Sequence, residues 1–86
     1  MADITGTRRD VTDSAELAPG EYGKSSDDTW YCCVPFAGLP IVPLSITHTV
    51  IEHEDGSITV DPSILSSAGK GKVWHGRLEH GVWKEL

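Results

Sequence analysis

The sequence predicts a small all-β domain, an antiparallel sheet or a partly open barrel or sandwich of about four to six strands, with an irregular N-terminal arm. Three observations carry that prediction. Asp55-Gly56 stands between the alternating segments LSITHTVIEH (44–53) and SITV (57–60), and Asp-Gly flanked by alternating residues is a strong hairpin signal. A second two-residue turn, His80-Gly81, stands between VWHGRLE and VWKEL. No stretch sustains the apolar repeat of an amphipathic helix beyond one turn. A chain of 86 residues has material for one core and no more.

Residues 1–28 read as a flexible or peripheral arm that either wraps its own domain or docks on a partner. TRRDVTDSAELAPGEYGKSSDD is polar, is interrupted by Pro19, Gly20 and Gly23, and shows no apolar period. Within it DSAEL allows one helical turn capped by Asp13 or Ser14. The β domain is expected over 29–86. TWYCCV (29–34) is aromatic and β-branched enough for a strand. PFAGLPIVP cannot pair regularly, because proline has no N–H to donate, and reads as an extended apolar loop. LSITHTVIEH then reads as a strand with Leu44, Ile46, His48 and Val50 on one face and Ser45, Thr47, Thr49, Ile51 and His53 on the other. After the Asp55-Gly56 turn, SITV returns antiparallel, DPSIL bends at Pro62, and SSAGKG is expected to be a mobile loop.

The final hairpin fixes its own register. A type I′ turn needs positive φ at both central residues, which glycine accepts freely and histidine more readily than most residues. With His80-Gly81 in those positions, Glu79 faces Val82, Leu78 faces Trp83, Arg77 faces Lys84 and Gly76 faces Glu85. Trp74, Leu78 and Trp83 then share one face, and Gly76 leaves bare backbone for an indole ring to cover.

Charge narrows the partners. The net charge is −6 and uneven: residues 1–30 and 31–68 each carry a balance of −4, whereas the last eighteen residues carry +2. An acidic body repels a phosphate backbone, so nucleic acid is not an expected partner. MADITGTRR lacks the apolar core of a signal peptide. The longest apolar stretch, CCVPFAGLPIVPL, is broken by three prolines and is too short to cross a bilayer. A cytoplasmic protein with reduced cysteines is expected. Cys32 and Cys33 are adjacent, so they point to opposite faces of a strand and do not form a structural disulfide.

Four histidines and two cysteines raise the question of zinc. Zinc sites draw ligands in pairs spaced so that one turn supplies two, and no such spacing occurs here. One assembled set would be Cys32 or Cys33 with His75 and His48 across the sheet. Buried cysteines and solvent-facing histidines account for the same residues. No local pattern supplies a Cys–His nucleophile with its orienting group, Ser63 is not in a G-x-S-x-G elbow, and Glu52, Glu54 and Asp55 lack the further oxygen ligands of a calcium loop. No enzyme activity and no cofactor are expected.

The string HEDGSITVDPSIL followed by VWHGRLEHGVWKEL resembles small proteins encoded by phages, especially phages of actinobacteria. Those proteins combine a D-G-x-I-T-V-x-P-S-I segment with a W-H-G-x-L-x-x-G-V-W ending. The resemblance covers residues 29–86. More distantly, the chain is similar to a phage and bacterial family of unknown function with a C-x-C-G-C start, a T-x-x-P-S-I segment and a C-x-S-H end. Thr59, Pro62, Ser63 and Ile64 fit its middle motif, and His75 and Gly81 keep its final spacing. The cysteine-rich start is reduced to YCCV, and Lys72 stands where the late cysteine would be. A full zinc ligand set is therefore not implied.

What the resemblance implies is an origin: a non-enzymatic phage protein that binds and modulates a host or competing protein in the host cytoplasm. Phe36, Leu39, Ile41 and Trp83 are the candidate interface residues, an apolar loop beside an aromatic anchor. Phe36, Leu39 and Ile41 can instead close the domain's own core. The alternative is a virion component, a capsid decoration or connector subunit, for which a homo-oligomer is expected. A small zinc-binding domain is the third reading.

Overall fold

In the computed structural model, which describes residues 3–36, 38–69 and 71–86, the C-terminal hairpin has the register that its turn dictates. Glu79 faces Val82, Leu78 faces Trp83, Arg77 faces Lys84 and Gly76 faces Glu85. His80 and Gly81 take φ of 49° and 78°, the left-handed pair that a type I′ turn needs. An added Cβ on Gly76 would lie 2.5 Å from Cη2 of Trp74. The indole therefore covers the glycine, as the alternation predicts.

The chain is all-β. Its elements are β1 (Ile4–Thr5), β2 (Thr7–Arg8), β3 (Glu21–Lys24), β4 (Trp30–Cys32), β5 (Val42–Pro43), α1 (Leu44–Thr47), β6 (Thr49–Glu52), β7 (Ile58–Ser67), β8 (Val73–Glu79) and β9 (Val82–Glu85). One sheet has the order β1-β9-β8-β7-β6, the other β2-β3-β4-β5. Neighbours pair antiparallel except β2 and β3, which run parallel. The main core lies between the sheets. It takes Tyr22, Trp30 and Cys32 from the smaller sheet and Ile58, Val60, Ile64, Trp74, Leu78 and Trp83 from the larger. On the far side of the smaller sheet, Val11 and Leu17 cover Cys33, with Tyr31 and Ile41 packed against them.

Val11 and Leu17 belong to the segment 1–28, which wraps its own domain and adds strands to both sheets. Ile4 and Thr5 pair with Trp83 and Val82 of the larger sheet. Two residues later, Thr7 and Arg8 pair with Glu21 and Tyr22 of the smaller one. The segment thus crosses from one sheet to the other, and Gly6 is the crossing point. A Cβ there would lie 2.8 Å from Nε1 of Trp83 and 2.9 Å from the Gly81 carbonyl, a close approach that only glycine permits. The hydrogen bonds continue outward, from Arg9 N–H to the Tyr22 carbonyl (2.8 Å) and from Val11 N–H to the Lys24 carbonyl (3.0 Å). The DSAEL segment does make its single turn, a 3-10 turn over Ser14–Glu16 with Asp13 as its cap.

Residues 44–53 differ from the expected strand. Leu44–Thr47 form one helical turn, closed by the bond from His48 N–H to the Leu44 carbonyl (2.8 Å). Leu44 is buried while Ile46 is 75% exposed, so the two do not share a face. The turn holds because it buries Leu44 and because the Ser45 hydroxyl accepts the Trp30 N–H at 2.9 Å. Pairing begins only at Thr49, against Asp61. The bend expected at DPSIL is a bulge between Val60 and Ile64, and β7 resumes beyond it through Ser67.

Arg8 ties the sheets together at their edges. Its Nε–H and Nη2–H donate to the two oxygens of Asp10, each at 3.1 Å, and Nη1–H donates to Glu52 (2.6 Å) and to the Gly56 carbonyl (3.0 Å). The guanidinium also sits 4.9 Å from the centre of a Trp30 ring. Arg8→Ala is expected to destabilise by about 1–3 kcal/mol, from charge-assisted bonds partly screened by solvent and one cation–π contact. Hydrogen bonds from Arg8 and then from the Lys24 amide hold the Asp10 carboxyl below its usual range. A depressed pKa gives stability that is present above the ordinary carboxylate value and is lost as pH falls through the folded one. Urea unfolding at neutral pH should show the full difference between wild type and Arg8→Ala, and the difference should shrink at about pH 3.

Candidate functional site

The structure does not bring together all four residues that the sequence offered as metal ligands. Cys32 belongs to the core between the sheets, Cys33 to the outer layer, on opposite faces as their adjacency requires. Both are free and buried. Burial pushes the Cys32 thiol far above its ordinary value; burial, and then the Glu21 carboxylate, raise Cys33 as well. The thiolate is the metal-binding form, so neither sulfur is a ready ligand. Cys32 and Cys33 therefore do not join the histidines, and the Cys–His set of the sequence reading is not assembled. Among the described residues no group of three or more His, Cys, Asp or Glu could hold a metal ion.

The two histidines of that set do meet, at a residue the sequence reading left aside. The bulge in β7 brings Ser63 beside both. Nε2 of His75 lies 2.9 Å from the Ser63 hydroxyl, and Nε2 of His48 lies 3.0 Å from the Ser63 carbonyl. A carbonyl only accepts, so His48 Nε2 carries the proton and Nδ1 accepts the Thr47 hydroxyl at 2.8 Å. His48 is at the C-terminal end of α1 and is half-buried; His75 is on the outer face of β8 and exposed. The signal for Ser63 was present in DPSIL, since a proline inside a strand marks a bulge.

The other two histidines form a different arrangement. His53 and His80, from the two hairpin turns, stack with ring centroids 4.0 Å apart and planes 3° from parallel. His53 Nε2 meets the Thr59 hydroxyl at 2.6 Å, while His80 Nε2 lies 3.4 Å from Asp55. The His80 N–H also donates to the Thr59 hydroxyl at 2.9 Å. His80 is thus a turn residue with a stacking partner, and the ring nitrogens of the pair point to separate groups.

The interface candidates divide in the same way. Trp83 is 1% exposed and Leu39 is buried, so neither is a surface anchor; their side chains complete the core instead. Ile41 is half-buried against the outer layer. Phe36 alone of the four is exposed, at 43%. More exposed apolar side chains lie elsewhere: Ile46 on α1, Ile51 on β6 and Leu65 on β7, the last 62% exposed. In sequence Ile46 stands two residues before His48, Ile51 two before His53 and Leu65 two after Ser63. β6 is also an edge of the larger sheet, without a strand on its other side among the described residues.

A cleft of about 320 Å³ opens between the 12–14 and 25–27 segments over Tyr31. Its walls carry Asp13 and Asp27, and hydrogen bonds from the Ser25 hydroxyl and the Thr29 amide hold the Asp27 carboxyl below its usual range. No residue of this cleft figured among the sequence candidates. No described helix is long and apolar enough to cross a membrane. Comparison with protein-family models, with curated proteins and with solved structures found no match to this chain.

Proposed function

We propose that this chain is a non-enzymatic interaction protein that binds another protein through the surface formed by α1, β6 and the bulged half of β7. The observation that carries the reading is the conjunction there of a free sheet edge with exposed Ile46, Ile51 and Leu65. An open edge offers backbone N–H and C=O groups to an extended partner segment, and apolar side chains beside it add buried area and specificity. Thr49, Val50 and Ile51 are β-branched, and no lysine or proline guards that edge. The acidic charge disfavours nucleic acid. The motifs shared with phage proteins support a phage origin and a host protein, in the host cytoplasm, as the partner.

Ile51→Lys and Leu65→Lys test the reading. Both side chains are exposed, so the folded state is expected to survive, checked by the unfolding midpoint. Crosslinking in host cells should join the wild-type chain to one protein through this surface, and either variant should lose that product. Equal crosslinking by wild type and variants would sink the proposal. Recovery of the chain only in purified particles would point to the virion reading.

A further inference from the structure

We propose that His48 and His75, together with Ser63, form a binding site for a divalent transition-metal ion of the zinc class. The two imidazoles come from different elements, the end of α1 and the outer face of β8, yet both turn Nε2 toward the same residue. Imidazole nitrogen suits zinc, copper and nickel, and zinc imposes no electronic geometry of its own. The serine hydroxyl adds an oxygen donor, and solvent reaches His75, so waters can fill the remaining positions.

Two features favour this pair over the rest of the molecule. First, His48 already has the outer partner that metal-bound histidines use. In the metal-free tautomer Nδ1 accepts from the Thr47 hydroxyl; with Nε2 on a metal the proton moves to Nδ1 and donates back to the same oxygen. A hydroxyl serves either role, so the switch needs no rearrangement of the backbone. Second, the only other paired histidines cannot converge. His53 and His80 are stacked face to face, which confines their ring lone pairs to parallel planes that do not meet, and their Nε2 atoms are directed at Thr59 and Asp55. The buried cysteines are held as thiols.

Zinc chloride titrated into the full chain, followed by the ring-nitrogen NMR signals of all four histidines, tests the site. Saturable shifts of the His48 and His75 Nε2 signals, with His53 and His80 unmoved, are the expected result. His75→Gln keeps a hydrogen-bonding group beside Ser63 but removes the imidazole, and should weaken zinc binding about tenfold or more. His48→Gln should do the same, and His80→Gln should leave the titration unchanged. Backbone amide dispersion reports that each variant is folded. Zinc shifts confined to His53 and His80, unsaturable shifts, or binding indifferent to His75→Gln would each overturn the assignment.

Discussion

Trp83→Ala is expected to destabilise the protein by roughly 3–5 kcal/mol, the range for removing a fully buried aromatic side chain. Trp83 is among the largest fully buried side chains. Its ring packs edge-on against Trp74, with centroids 5.5 Å apart and planes at 88°, the geometry that aromatic quadrupoles favour. Its Nε1–H donates to the Gly20 carbonyl at 3.0 Å, a bond that truncation removes. Gly6 abuts the indole at the same nitrogen. Small domains have total stabilities of about 5–15 kcal/mol, with this size at the lower end. The variant should therefore be close to unfolded at room temperature, read as a urea midpoint displaced toward zero. A loss under about 1.5 kcal/mol would place Trp83 at a surface and restore it as an interface anchor.

The contrast between Trp83's face and its depth shows what the sequence could convey. Period-two alternation and the positive-φ turn determine that Trp74, Leu78 and Trp83 lie together, and both are local rules. Whether that face meets solvent or another sheet depends on residues far away in the chain, here Gly20 and Tyr22. The N-terminal strands were hidden for a related reason. β1 and β2 are two residues each and largely exposed, so they carry no apolar stripe. Their placement comes from backbone approach at Gly6 and at Gly23, where a Cβ would collide with the Arg9 carbonyl. A glycine in a polar segment reads equally well as looseness. At the candidate site, His48 and His75 were visible as residues able to bind metal, but their meeting needed the bulge that turns Ser63 between α1 and β8. The helical turn at 44–47 was unreadable from alternation, because Leu44, Ile46, His48 and Val50 satisfy a strand pattern that the burial of Leu44 and the Ser45 bond override.

Deletion of residues 1–18 is expected to abolish cooperative folding, a larger loss than any single substitution. The deletion removes β1 from one edge of the larger sheet and β2 from one edge of the smaller. It strips Val11 and Leu17 from over Cys33 and uncovers that face of the smaller sheet. It also takes away Arg8 with its bonds to Glu52 and the Gly56 carbonyl, and the Gly6 amide from the Gly81 carbonyl. Each backbone hydrogen bond contributes about 1 kcal/mol net, and each buried aliphatic side chain about 1.5–3 kcal/mol. Together these losses reach the whole stability of a domain this small. The truncated chain should show collapsed amide dispersion and no sigmoidal urea transition, whereas a flexible arm would leave both intact. A truncated chain with the full-length midpoint would return residues 1–18 to the status of a peripheral arm. Deletion of residues 1–3 alone provides the internal control, because Ile4 is the first of the described residues to pair. If that shorter deletion keeps the midpoint and the longer one loses it, the strand that crosses between sheets at Gly6 is what closes the sandwich.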